Sequence, residues 1–224
     1  MRCSPPRSSS PSSPGSRSSG TRCGWFARVS GPWPSGRHVG RVGRGPGPVR
    51  APVVSDLARQ DGDAVLPAAL AAEVILLCRE RGLTIATAES LTGGLVCGEL
   101  TAVPGASVAV RGAVVAYATD RKAALLQVPD ALLADRGAVD GDVARAMAVG
   151  VRRAMLAEIG VATTGVAGPE PQDGKTVGTV FIAVSGPATD VVEELHLSGD
   201  RAQIRAETVQ AALRLCRDVL RQSS

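Results

Sequence analysis

The chain has 224 residues, enough for one ordinary domain with a sizeable core and some surplus, and its 25 basic and 21 acidic residues leave it at +4. Nothing near Met1 resembles the apolar run of a secretory signal, and no stretch is long enough to span a bilayer, so no membrane partner is expected. Only two histidines are present, and with His38 near the N-terminus a His-based zinc site or a Ser-His-Asp triad would have to rest on His196 alone.

Residues 1–60 stand apart. Nine arginines and no acid precede Asp56, among many Ser, Pro and Gly residues; without those arginines the remainder holds 16 basic and 21 acidic residues, a net −5. A segment of this composition lacks apolar periodicity and cannot offset its chain entropy by burial, so disorder is expected. A nucleic-acid-binding arm, an organellar transit peptide and upstream sequence read from a wrongly assigned start all fit it. The last is preferred, because Pro and Gly density opposes the amphipathic helix of a transit peptide and the residue bias is that of translated GC-rich DNA. A nucleic-acid partner is accordingly not expected.

From about Leu66 helix and strand patterns alternate. Pro67 suits a first helical turn, and Leu70, Val74, Leu77 and Cys78 line one face of a helix ending near Gly82. A strand over 83–88 leads into a helix entrance at Ser90 to Gly94, and Val103-Pro104-Gly105 closes the next helix. A second strand is expected over 108–117 with Gly112 as a bulge, then short helices over 119–126 and 130–135. Asp140 caps a stronger helix carrying Val143, Met147, Val151 and Met155 at helical spacing. Ile159 to Val166 reads as a strand, 177–184 and 191–197 as a strand pair, and Asp200 as the cap of a terminal helix to about Leu220. The expected class is a single α/β domain over 66–222, a three-layer α/β/α with a mixed, mostly parallel sheet. Cys78, Cys97 and Cys216 sit among apolar helical residues and read as small hydrophobes of a reduced, cytoplasmic compartment.

Ser90 lies at a strand-to-helix turn, where backbone N–H groups without intrahelical partners suit an oxyanion or a phosphate. Ser90 or Thr92 as a helix cap, with Gly93 and Gly94 allowing a tight turn, explains the same residues. Tyr117, the only tyrosine, ends a strand and can emerge at the same sheet edge, or sit half-buried with a solvated hydroxyl. Lys122 taken alone reads as a solvated surface lysine. Taken with Ser90 it offers another chemistry: where no histidine serves a serine, a desolvated lysine can take its proton, and a tyrosine can relay or orient it. The glycine-rich loop from Gly165 to Gly178, with Lys175 inside it, is either a ligand loop or a plain connection.

Six ordered motifs together resemble the CinA C-terminal-domain family, the nicotinamide-nucleotide amidases. They are Thr87 to Gly94; Arg111-Gly112 followed by Tyr117 and Lys122; Gly137-Ala138-Val139; Thr164 to Pro169; Val177 to Val180; and Ser198 to Arg201. The resemblance implies hydrolysis of the carboxamide of nicotinamide mononucleotide to nicotinate mononucleotide and ammonia, in pyridine-nucleotide salvage. By it Ser90 is the nucleophile, Lys122 its base and Tyr117 a support for the proton exchange. Backbone N–H groups near Thr92, Gly93 and Gly94 or Gly165 would hold the oxyanion, Thr164 and Gly168 would belong to the substrate loop, and Arg201 would meet the phosphate or brace the terminal helix. These roles need no metal and no cofactor. A homodimer is implied too, and the stand-alone form of the amidase is expected because nothing in residues 1–65 reads as the N-terminal nucleotide-processing domain of the longer family members; a catalytically silent nucleotide-binding domain with a competence- or DNA-damage-related role is the alternative. This chain has Ala118-Thr119-Asp120-Arg121 where the family commonly has Ser-Asn-Glu-Ala between the tyrosine and the lysine, a change that bears on substrate preference.

Overall fold

The computed structural model describes residues 66–187 and 189–222, so the expectations for residues 1–60 lie outside the described residues. The first helix, α1 (Pro67–Arg81), begins with a proline whose missing N–H would have no helical partner, and it stops where Gly82 takes a left-handed φ of 64°. Leu83 then donates its N–H back to the Cys78 carbonyl, which is why β1 (Ile85–Glu89) starts two residues later than the pattern suggested. After α2 (Leu95–Ala102), a 3-10 turn at Ala106–Val108 takes up the first residue of the expected second strand, and β2 is confined to Val110–Val115. Gly112 is the expected bulge: Ile85 pairs with Val110 but Ala86 with Gly112, whose φ is 147°.

The chain continues through α3 (Thr119–Leu126), α4 (Asp130–Arg136), α5 (Gly141–Met155) and β3 (Ile159–Gly165). Then come β4 (Thr179–Ser185), β5 (Asp190–His196) and α6 (Arg201–Gln222). Asp140 accepts the Asp142 N–H at the start of α5, and Asp200 accepts those of Ala202 and Gln203 at the start of α6, both as expected of N-caps. β4 starts at Thr179 rather than 177 because Gly178 (φ 92°) sits so close to Leu197 that a Cβ would lie 1.9 Å from its carbonyl oxygen. Among the described residues no helix is long and apolar enough to cross a membrane.

The sheet order is β2-β1-β3-β4-β5, with β2, β1 and β3 mutually parallel and antiparallel pairings from β3 to β4 and from β4 to β5. Only β4 therefore opposes the direction of the other four strands. Strand alternation splits the core into two layers. Ile85, Val161, Val180 and Ile182 pack against α1, α2 and α6, whereas Ala86, Ala88, Ala162 and Ala183 face α5. The second layer is built from small residues, and the backbones approach accordingly. A Cβ on Gly160 would lie 2.1 Å from the Ala148 carbonyl oxygen, and one on Gly150 only 2.0 Å from that of Leu126, the last residue of α3. Bare backbone thus seats α5 on the sheet and α3 on α5.

At the far end of β1 the buried Glu89 carboxylate takes over the start of α2. It accepts the N–H groups of Gly94 and Val96 at one oxygen (2.8 and 3.1 Å) and, at the other, the Cys97 N–H (2.8 Å) and the Thr87 hydroxyl (3.0 Å). No ion pair among the described residues involves Glu89, and its burial is tolerable because several hydrogen bonds and the positive end of a helix face the carboxylate. The turn between strand and helix is thereby pinned at both ends.

Two outcomes in urea denaturation follow. Gly150→Ala should lower stability by about 1–3 kcal/mol, although alanine favours helix, because its methyl group meets a backbone oxygen that cannot move aside. Glu89→Gln, nearly the same shape, should cost about 2–3 kcal/mol, since an amide NH2 would face N–H donors.

Candidate active site

The parallel register places Glu89 beside Val115 on one side and Thr163 on the other, so the residues that follow, Ser90, Ala116-Tyr117 and Thr164, lie side by side at the carboxyl ends of three parallel strands. That edge is where open α/β sheets offer a crevice. The Ser90 N–H extends the ladder by bonding the Thr163 carbonyl (3.0 Å), and the Ala116 N–H does the same to Glu89 (2.9 Å), which fixes both backbones before either side chain is considered.

Lys122 rises from α3 beneath Ser90. The two side chains are 1% and 8% exposed for lysine and serine, and Lys122 Nζ lies 3.0 Å from Ser90 Oγ and 2.9 Å from the Ala116 carbonyl oxygen. Loss of hydration brings the lysine pKa down to about 8, against a smaller opposing pull from the Asp173 carboxylate. The lowered pKa favours the neutral amine, and a neutral amine can accept the serine proton. Asp173 also accepts the Ala138 N–H (2.6 Å), tying its loop to the turn before α5.

A cleft of about 480 Å³, measured to its open mouth, lies over Ser90. Of the residues expected at a site, Ser90, Tyr117, Thr164, Gly165, Gly168 and Arg201 line it. Tyr117 is 59% exposed, and its hydroxyl accepts a bond from Arg201 (2.8 Å) at the mouth of the cleft. The same guanidinium donates to the Gly168 carbonyl (2.8 Å), joining α6 to the loop after β3. Thr164 donates its hydroxyl to the Ala138 carbonyl (2.6 Å), and the bare Cα of Gly165 leaves room for Val180 and the Thr179 carbonyl.

Thr92, Gly93 and Gly94 are not among the residues that line the cleft. Thr92 is fully buried, its hydroxyl 2.8 Å from that of Thr163. The Gly93 N–H bonds the Ser90 carbonyl (3.1 Å) and the Gly94 N–H goes to Glu89, so neither is available to an oxyanion. Within the stretch from Ser90 to Gly94, the N–H groups with no acceptor among the described residues are those of Leu91 and Thr92, so of the expected donors that of Thr92 stays open while those of Gly93 and Gly94 are engaged.

Sequence reasoning passed over Glu89, Asp173 and Arg205, and the cleft residues Glu170 and Gln172. Arg205 donates to the carbonyls of Leu91 (2.9 Å) and Thr92 (3.0 Å). A signal for it existed. Arg201 and Arg205 are one turn apart at a helix start, where the helix dipole disfavours cations, so a pair of arginines there points to a task beyond solubility. For Glu89 no local signal existed, since its partners are assembled by the turn itself.

The sequence matches the CinA C-terminal domain family over residues 67–220. It is 52% identical over 147 residues to a CinA-like protein from Frankia casuarinae, covering 66% of this chain and 34% of that protein. A CinA-like protein from Geobacter metallireducens is 48% identical over 141 residues, covering 62% and 34%. The chain thus spans about a third of the length of these curated relatives. Among solved structures, the competence/damage inducible protein CihA from Agrobacterium tumefaciens superposes with a TM-score of 0.67 at 33% identity, over 71% of this chain and 99% of that one. The competence damage-inducible protein A (ComA) from Klebsiella pneumoniae gives 0.69 at 30% identity, over 71% and 100%. The match across nearly all the described residues, on an α/β domain with a five-stranded mixed sheet, shows that this chain belongs to the CinA C-terminal-domain family.

Proposed function

We propose that the domain is an amidohydrolase that converts nicotinamide mononucleotide to nicotinate mononucleotide and ammonia. The observation that carries the reading is the 3.0 Å approach of Ser90 Oγ to the Nζ of a lysine enclosed by protein. A serine needs a base to become a nucleophile, and a lysine whose pKa is brought down to about 8 supplies one near neutral pH.

In the proposed sequence the neutral Lys122 amine takes the Ser90 proton as Oγ bonds to the carboxamide carbon. The carbonyl oxygen becomes negative and is met by the Leu91 and Thr92 N–H groups. The C–N bond then breaks while the Lys122 ammonium returns its proton to the departing nitrogen, which leaves as ammonia. Water adds to the acyl-enzyme, again giving a proton to Lys122, and collapse releases the carboxylate and restores Ser90. The Ala116 carbonyl accepts from Nζ and keeps it aimed through both half-reactions.

The cleft's charges suit this substrate. Arg201 at the mouth is placed to meet a phosphate, and the Glu170 carboxylate suits a positively charged pyridinium ring. Tyr117 offers an exposed aromatic surface to the same ring.

Purified protein incubated with nicotinamide mononucleotide should release ammonia. Ser90→Ala and Lys122→Ala should each lower kcat on the order of a thousandfold or more, with the double variant no worse than either, because the two act as a unit. Full turnover in Ser90→Ala would exclude the covalent route, and saturable nucleotide binding without ammonia release would favour the catalytically silent domain. The rate should also rise with pH, about tenfold per unit below the lysine pKa, and level off above about 8, because the protonated lysine cannot accept the serine proton.

A further inference from the structure

Arg205 stands one turn beyond Arg201 on α6, and its partly buried guanidinium reaches the turn after Ser90, 114 residues earlier in the chain than itself. Nε donates to the Leu91 carbonyl and Nη2 to the Thr92 carbonyl, at 2.9 and 3.0 Å. No ion pair among the described residues involves it. Its charge is therefore directed at two consecutive peptide units rather than at a carboxylate.

A trans peptide unit is planar, so its C=O and N–H point in opposite directions. The unit joining Leu91 to Thr92 aims its carbonyl at Arg205, which turns the Thr92 N–H away from α6. The preceding unit aims the Ser90 carbonyl at the Gly93 N–H, which turns the Leu91 N–H away from that glycine. Gly93 belongs to the same arrangement: its φ is 64°, and a Cβ there would lie 3.5 Å from Arg205 Nη2. The carbonyl ends of both units after the serine are thus held, and their N–H ends have no acceptor among the described residues.

We propose that Arg205 is a positioning residue for the nucleophile turn: it holds and polarises the Leu91–Thr92 peptide unit directly, and through the Thr92 carbonyl the unit whose Gly93 N–H holds the Ser90 carbonyl, so that the N–H groups of Thr92 and Leu91 receive the negative oxygen formed when Ser90 attacks. The inference rests on the reading of Ser90 as nucleophile, but not on the identity of the carboxamide. A donor held in advance toward developing charge lowers the barrier without contributing to ground-state binding. The expected signature is a loss in kcat and in nucleophile reactivity at nearly constant KM.

The test compares the full chain with Arg205→Ala and Arg205→Lys by three measurements. These are the rate of covalent labelling of Ser90 by a fluorophosphonate, kcat and KM for nicotinamide mononucleotide, and the melting temperature. Arg205→Ala should label and turn over at least about tenfold more slowly, with KM within about twofold, and added guanidinium ion at low millimolar concentration should restore part of the labelling rate. Arg205→Lys, which keeps the charge and the aliphatic stem but cannot fork to two carbonyls, should fall between the two; it decides the matter if the alanine variant does not fold. Labelling at the wild-type rate in the folded variant overturns the proposal. Wild-type protein labelled at Ser90 but releasing no ammonia overturns the substrate reading and leaves the Arg205 comparison to stand on labelling alone. Wild-type Ser90 that takes no label overturns both.

Discussion

Enclosing the tip of a lysine is costly, and the geometry around Ser90 depends on how that cost is met. An ammonium group keeps its proton because water solvates the charge. Where Nζ is left with one hydroxyl and one carbonyl, the neutral amine becomes competitive and the pKa comes down to about 8. Every nearby feature serves to keep the lysine there. The backbone contact of Gly150 with Leu126 sets the depth of α3, and the β1–β2 ladder carries the Ala116 carbonyl to where Nζ can reach it. Asp173 works in the other direction, and its single charge keeps the lysine from losing its proton still more readily.

Two arrangements hold the serine from opposite sides. Within β1 and α2, Glu89 gathers the turn through donors that lie within eight residues of it, so this part is local once the strand ends. From α6, Arg205 grips the same turn through its carbonyls, which is a long-range constraint. An acid therefore collects N–H groups on one side of the turn and a base collects carbonyls on the other. The peptide units in between have little freedom left, as a site that must orient a reacting bond requires.

Much of the fold was legible because the residues that shape it act locally. Pro67, Gly82, Asp140 and Asp200 mark helix ends by backbone chemistry alone, and Gly112 marked a bulge for the same reason. Strand limits were less legible where tertiary contact decides them: the 3-10 turn at Ala106–Val108 and the approach of Gly178 to Leu197 each removed residues from a pattern that read as strand. Ser90 and Lys122 were nameable as a pair because histidine is scarce and the ordered motifs place both, but their separation in space depends on α3 packing on α5. The bond between Arg201 and the Tyr117 hydroxyl was not legible, since the two residues are 84 apart in the chain and only the folded α6 brings them together.

The carboxylate of Glu89 has a consequence for the charge that the cleft presents. A helix start beside a reactive serine is ordinarily an attractive seat for any anion, and a nucleotide brings one. Here an internal anion already fills that seat, bonded to the N–H groups of Gly94, Val96 and Cys97. Among the residues that line the cleft the cation is Arg201, on the rim, and the first turn of α2 is closed to a second anion. The charge the cleft presents beside Ser90 is thereby set in part by Glu89, a residue that does not line it.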